Sequence, residues 1–224
     1  MSLRPVPLDA EPVKLREKAY ASFTERLLAR DIVPGQFVSQ RELVEITGMP
    51  LGAIRELIPR LEADGLITTV PQRGMQVAHV DMSLIRNAFQ FRLILEREAT
   101  AEFVRNAPAS EFARLRQRHE AILEEARRGV TPDLMARGQA TDWDLHYSVI
   151  DFLGNEIISK AYRVNAIKVL LIRQEYTRLS EQLVIPVMTE HLGIIAAFET
   201  RDPERGVAAM AEHINNARAR ALRL

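Results

Sequence analysis

Apolar residues recur three and four positions apart over most of the chain, a spacing that predicts helices because it gathers them on one face of a 3.6-residue turn. Val13, Leu15, Ala19, Phe23, Leu27 and Leu28 form the first such face and predict a helix from Pro12 to Ala29, ended by Asp31 and the Pro34-Gly35 turn. Ser39-Gln40-Arg41-Glu42 has the form of a capping box and opens a short helix to Ile46. Thr47-Gly48 turns the chain, and Pro50 suits the first turn of a third helix that ends at about Ala63, before Asp64-Gly65. The period then changes. Leu66 to Val70 and Met75 to Val80 read as two short strands around Pro71-Gln72-Arg73-Gly74, the sequence form of a β-hairpin.

Past Asp81-Met82-Ser83 the strand signals stop, which predicts a boundary near residue 81 and domains of residues 1–80 and 81–224. Helices are expected over about 83–106, 110–128, 141–153, 156–182, 186–200 and 203–222. Pro108, Gly129, Gly138, Gly154-Asn155 and Asp202-Pro203 separate them, Ser110, Thr141 and Asp202 are expected caps, and residues 130–140 carry no assignment. The expected fold class is mainly α: a winged helix-turn-helix with a small β-hairpin wing, followed by an all-helical bundle.

Composition narrows the function. Lys plus Arg and Asp plus Glu both number 30 among 224 residues, so no global field draws this protein to nucleic acid or to an anionic membrane. Any DNA contact has to come from locally placed arginines. The absence of cysteine excludes disulfides and thiolate metal sites and fits a reducing, cytoplasmic setting. The proline-broken start, MSLRPVPLDAEPVKL, lacks the apolar stretch of a signal peptide, and no run approaches the roughly 18 apolar residues of a membrane span.

Two helices joined by a short glycine-containing turn suit a DNA-binding unit, in which the second helix enters the major groove. Arg55 lies in that helix and Arg41 opens the one before it. Arg73-Gly74 occupies the wing tip, where glycine permits close backbone approach and the arginine can reach a phosphate or the minor groove. Arg60 is a secondary candidate. The competing account is that these arginines are solvated or paired with Glu42, Glu45 or Glu56. Pro59, inside the third helix, removes the bond to the Arg55 carbonyl and predicts a kink.

In the second half, Asp142 and His146 stand four apart and project from one helix face. His191 and His213 fall in two later helices, which a bundle can bring to the same ion. D-x-x-x-H is common by chance, however, and His79 and His119 read as ordinary surface or core histidines. Arg92 and Glu96, also four apart, read locally as an intrahelical ion pair worth only about 0.3 to 0.5 kcal/mol. Arg173 reads as a solvated residue, the alternative being that it assists Arg92.

The order Leu43-Val44-Glu45-Ile46-Thr47-Gly48, Ile54-Arg55-Glu56-Leu57, Leu61-Glu62-Ala63-Asp64-Gly65-Leu66-Ile67 and Arg73-Gly74 resembles the DNA-binding domain of the GntR regulators, over residues 12–80. Arg92 with Leu95 and Glu96, Asp142 through His146, Gly154-Asn155, Glu190-His191 and His213 resemble the FCD effector domain of the same family (FadR subfamily). The resemblance implies a DNA-binding transcriptional regulator, expected to be a repressor, that binds a double-stranded operator as a homodimer. It implies DNA contacts from Arg41, Arg55 and Arg73-Gly74. It also implies a divalent transition metal (Zn, Ni, Co, Mn or Fe) on Asp142, His146, His191 and His213, and a small carboxylate effector, a sugar acid or dicarboxylate, on Arg92. One position departs from the pattern, for Leu51 stands where the family usually carries an arginine, so a guanine-reading contact is missing there. Two rivals share the same residues. One is a metal-dependent hydrolase with Asp144 or Glu190 as base, although the helical spacing turns both aside; the other is a metal that only braces the bundle.

Overall fold

A computed structural model of the chain describes residues 10–176 and 181–222, and it divides into two compact units that part between Val80 and Asp81. The first unit contains α1 (Ala10–Ala29), β1 (Phe37–Val38), α2 (Gln40–Thr47), α3 (Leu51–Ala63), β2 (Ile67–Val70) and β3 (Gly74–Val77). Ala19, Phe23 and Leu27 of α1 are buried with Leu43 of α2 and Ile54, Leu57 and Leu61 of α3. Both halves of the capping box form: the Ser39 hydroxyl accepts from the Glu42 N–H, and the Glu42 carboxylate accepts from the Ser39 N–H. Gly48 ends α2 in the left-handed conformation at φ 67°, where a side chain would be strained.

The wing is one strand larger than the hairpin predicts. β1 pairs antiparallel with β3, Phe37 opposite Gln76 and Val38 opposite Met75, so the sheet order is β1-β3-β2. A two-residue strand is too short to carry a period, which hides it in sequence. Pro59 does not end α3, which runs through it to Ala63. Pro59 is exposed, so solvent can take the carbonyl that it leaves without an N–H partner.

The second unit is all helix among the described residues: α4 (Met82–Asn106), α5 (Ala109–Arg128), α6 (Pro132–Asp151), α7 (Glu156–Tyr176), α8 (Glu181–Glu199) and α9 (Pro203–Leu222). Phe103 of α4 meets Phe112, Phe152 and Phe198 edge-on at 5.2 to 5.6 Å and anchors one end. Ile122, Leu123 and Ala126 of α5 pack with Leu134 of α6 and Val184, Val187 and Met188 of α8.

Two boundaries differ from expectation. Residues 132–140 are helix rather than connection, because the Thr131 side chain caps the Leu134 N–H, Pro132 occupies the first turn, and α6 runs on without a break through Gly138. Leu134, Gly138, Thr141, Asp142, Leu145, His146 and Val149 share its buried face, so Gly138 is a core position and Thr141 is no cap. α8 begins at Glu181 rather than at Pro186, which lies near enough to the start to cost a single ladder bond. Of the helix expected over 156–182, residues 177–180 lie outside the described residues. Pro108, not Ser110, precedes α5, whereas Asp202 accepts from the Glu204 and Arg205 N–H groups at the start of α9.

Candidate metal centre and nucleic-acid interface

Three helices of the second unit contribute one site. Asp142 and His146, one turn apart on α6, meet His191 of α8 and His213 of α9, and one ligand atom from each lies within 4.8 Å of all the others. All four residues are buried.

The hydrogen-bond partners fix which ring nitrogen carries the proton. His146 Nδ1 lies 2.7 Å from Glu96 Oε2, and His213 Nδ1 lies 2.8 Å from Glu190 Oε2, so each donates to a carboxylate. The third ring is set through a relay. His119 Nδ1 is 2.7 Å from the Leu115 carbonyl, which can only accept; His119 Nε2 is therefore bare and accepts from His191 Nδ1 at 3.1 Å. All three ligand rings thus turn an Nε2 lone pair toward the centre. His191 Nε2 faces His213 Nε2 at 3.3 Å and Asp142 Oδ1 at 3.3 Å. Three acceptors that face one another without a proton repel, and a cation among them turns that repulsion into coordination. A carboxylate or carbonyl behind each imidazole is the outer arrangement that orients metal-ligating histidines.

The protonation states agree. Burial pushes His191 far below the ordinary histidine value and, with the Arg92 charge, pushes His146 down to about 4. Burial opposes ionisation of Asp142, but Arg173 and the neighbouring histidines outweigh it and hold the carboxyl down to about 2. Neutral imidazoles and an ionised carboxylate are the forms a metal needs.

Cations surround the cluster. Arg92 is 2% exposed; its Nε donates to Glu96 Oε1 at 2.5 Å, and Tyr162 donates to the same oxygen at 2.6 Å. Arg173 donates to Asp142, which corrects its reading as a solvated residue, and Arg220 donates to Glu190 at 2.7 Å. Arg92, Asp142, Arg173, His213 and Arg220 line a cavity of about 20 Å³, room for one water-sized guest. His119 is a partner of the cluster that sequence reasoning misses; a histidine in the buried stripe of Phe112, Leu115, Ile122 and Leu123 on α5 is its one signal. Neither candidate base is free. Asp144 accepts from Arg114 and Arg118, and Glu190 is held by His213 and Arg220.

In the first unit the candidate arginines are exposed and weakly held. Arg41 keeps 90% of its side-chain surface and pairs with Glu45 at 3.5 Å. The Arg55 Nε donates to Gln40 at 3.4 Å, and the Arg73 guanidinium lies 4.0 Å over the Phe37 ring. Arg60 is committed within the unit, bonded to Glu17 at 2.6 Å and stacked on Tyr20. Gly74 has a reason of its own. At φ 91° a Cβ there would come within 2.8 Å of the Val38 carbonyl oxygen, so the wing's own sheet demands the glycine. Leu51 is exposed at the start of α3.

The model of bacterial regulatory proteins of the gntR family matches residues 15–77, and that of the FCD domain matches residues 87–216. An uncharacterized HTH-type transcriptional regulator of Paraburkholderia xenovorans (strain LB400), BphR, is 26% identical over 93% of this chain and 88% of its own length. The Nta operon transcriptional regulator of Aminobacter aminovorans is 23% identical over 81% of this chain and 82% of its own. Among solved structures, E. coli McbR/YncC superposes with a TM-score of 0.69 at 18% identity, covering 93% of this chain and 95% of that one. A GntR regulator of Rhodococcus sp. RHA1 gives 0.74 at 15% identity, covering 94% and 98%. At those identities the solved structures speak for the fold alone.

Proposed function

The chain belongs to the gntR family of bacterial regulatory proteins and carries that family's FCD domain, and from this premise we propose a homodimeric repressor that a small carboxylate, held beside a divalent metal, releases from its operator. DNA-binding regulation follows from the family. Membership in a family of transcriptional regulators also sets the hydrolase reading aside, in keeping with an Asp144 and a Glu190 that are both occupied by arginines.

The observation that carries the metal is the meeting of three unprotonated Nε2 atoms and the Asp142 carboxylate in one buried place. One carboxylate and three imidazoles suit Zn, Ni, Co, Mn or Fe, and a six-coordinate ion would keep positions open for a ligand. When bound, such an ion supplies a Lewis-acidic attachment point for a carboxylate oxygen. Arg92 supplies the second, a buried guanidinium whose fork matches a carboxylate. Double-stranded DNA would be met through Arg41, Arg55 and Arg73, with Gly74 shaping the wing tip, and two-fold symmetry would pair the half-sites of an inverted repeat. Leu51 would bring apolar contact to the base edge where the family's arginine is missing. No helix among the described residues is long and apolar enough to cross a membrane, and a DNA-binding regulator would work in the cytoplasm.

The test begins with elemental analysis of purified protein. About one transition metal per chain is expected, lost in His213→Ala and bound about 10- to 100-fold more weakly in His119→Phe, which removes the acceptor that orients His191. Organic acids that raise the melting temperature are then titrated into a preformed complex with operator DNA. Full metal content in His213→Ala would refute the ligand set. Acids that bind without changing operator affinity would leave a metal that only braces the bundle.

A further inference from the structure

Arg92 Nη2 stands 2.6 Å from His146 Nε2. The Nδ1–H of that ring is spent on Glu96, so its Nε2 offers only a lone pair, and a guanidinium has only hydrogens to give. Arg92 therefore donates to the same lone pair that a metal needs. One nitrogen cannot serve both. Once His146 turns its lone pair to an ion, the Arg92 amino group is left without that acceptor in a place with almost no access to water, and an unpaired buried donor is costly.

Charge adds a second constraint. The cavity is ringed by Arg92, Arg173 and Arg220, and each faces its own carboxylate: Glu96, Asp142 and Glu190. The ring is balanced as it stands, so a divalent ion brings two positive charges that no member of it offsets. Buried charge of that size calls for a partner of opposite sign. Side-chain exposure rises from 2% at Arg92 to 14% at Arg173 and 24% at Arg220, which grades the guanidiniums from the floor of the cavity to its mouth. With room for only a water-sized guest, an acid enters as these side chains turn from their present partners.

We propose that the site takes a dianion and takes it only in the metal-bound protein: the release of Arg92 from His146 creates the inner carboxylate site, and the outer arginines receive the second anionic group. This rests on the metal reading above. Metal and acid are then coupled through one guanidinium, and linkage requires each to tighten the other by the same factor.

Calorimetry on the full-length protein, metal-stripped or zinc-loaded, tests this with malonate, succinate and glutarate. Each is set against the monoanion of the same chain length: propionate, butyrate and valerate. At least one diacid is expected to bind the zinc-loaded protein about 5- to 150-fold more tightly than the stripped protein. Its monoanion should bind at least about tenfold more weakly, and competition with a chromogenic chelator should show zinc held more tightly by the same factor. Arg92→Lys keeps a cation beside Glu96 but loses the fork, so it should bind zinc at least as well as wild type while the coupling disappears. Diacids that bind stripped protein as tightly, monoanions that match them, or no diacid binding to zinc-loaded protein each overturn the proposal. Failure of wild type to take up zinc, nickel, cobalt, manganese or iron overturns the metal reading itself, and this one with it.

Discussion

The two candidate sites use arginine in opposite ways. Arg41 keeps 90% of its side-chain surface, whereas Arg92 keeps 2%, although a chain of zero net charge supplies both. An exposed guanidinium is solvated and only loosely engaged, so it stays available to a polyanion and its contribution falls with salt. A buried one has already lost its water and persists only with carboxylates or acceptors around it, and it responds to what displaces them. Burial, not composition, separates an arginine left open to solvent from one held in place by carboxylates.

The largest expected effect lies in the buried set. Arg92→Ala leaves Glu96 wholly enclosed without its cation, and removing one partner of a buried pair costs about 3 to 5 kcal/mol. Denaturant titration measures it, and a loss under about 1 kcal/mol would break the contrast between the sites. Next, Arg55→Ala should weaken operator binding by about 1 to 3 kcal/mol while leaving folding stability within about 0.5 kcal/mol. For Arg41→Ala, a phosphate contact predicts uniform weakening across sequences and a salt dependence shallower by about one unit of slope. Gel shifts at several salt concentrations read both, and unchanged binding in the pair would remove these residues from the interface. The smallest effect tests whether burial or location matters. Arg116 in the bundle meets Glu199 through two bonds of 2.8 and 2.6 Å, yet both side chains remain about a third exposed. Solvent screening should hold the cost of Glu199→Gln to about 0.2 to 1 kcal/mol in the same denaturant assay. A cost near that of Arg92→Ala would show that exposure is the wrong variable.

What could be read in advance follows the same division. Long helices announce themselves by a period repeated over several turns, whereas Asp142, His146, His191 and His213 are legible as a set only through the resemblance to the FCD domain, because D-x-x-x-H spacing is common by chance. The first half of α6 does not announce itself, because Gly138 looks like a break until its neighbours are seen to bury it, and Thr131-Pro132 looks like a loop until it caps a helix. The partners of the site were hidden for a different reason. Glu190 with His213, His119 with His191 and Arg173 with Asp142 join different helices, and no local spacing encodes such pairs. His119 stays illegible because an isolated histidine on an apolar stripe has no visible partner in one dimension.

The close approach of Gly74 to Val38 bears on how variation at the wing would be read. In a saturation library selected for folding alone, glycine should already be the survivor at residue 74, while residue 73 drifts freely. Only a second round selected for operator occupancy should enrich arginine at 73. Two adjacent positions with equal invariance would then carry different histories, one imposed by the backbone next to it and the other by the nucleic acid outside.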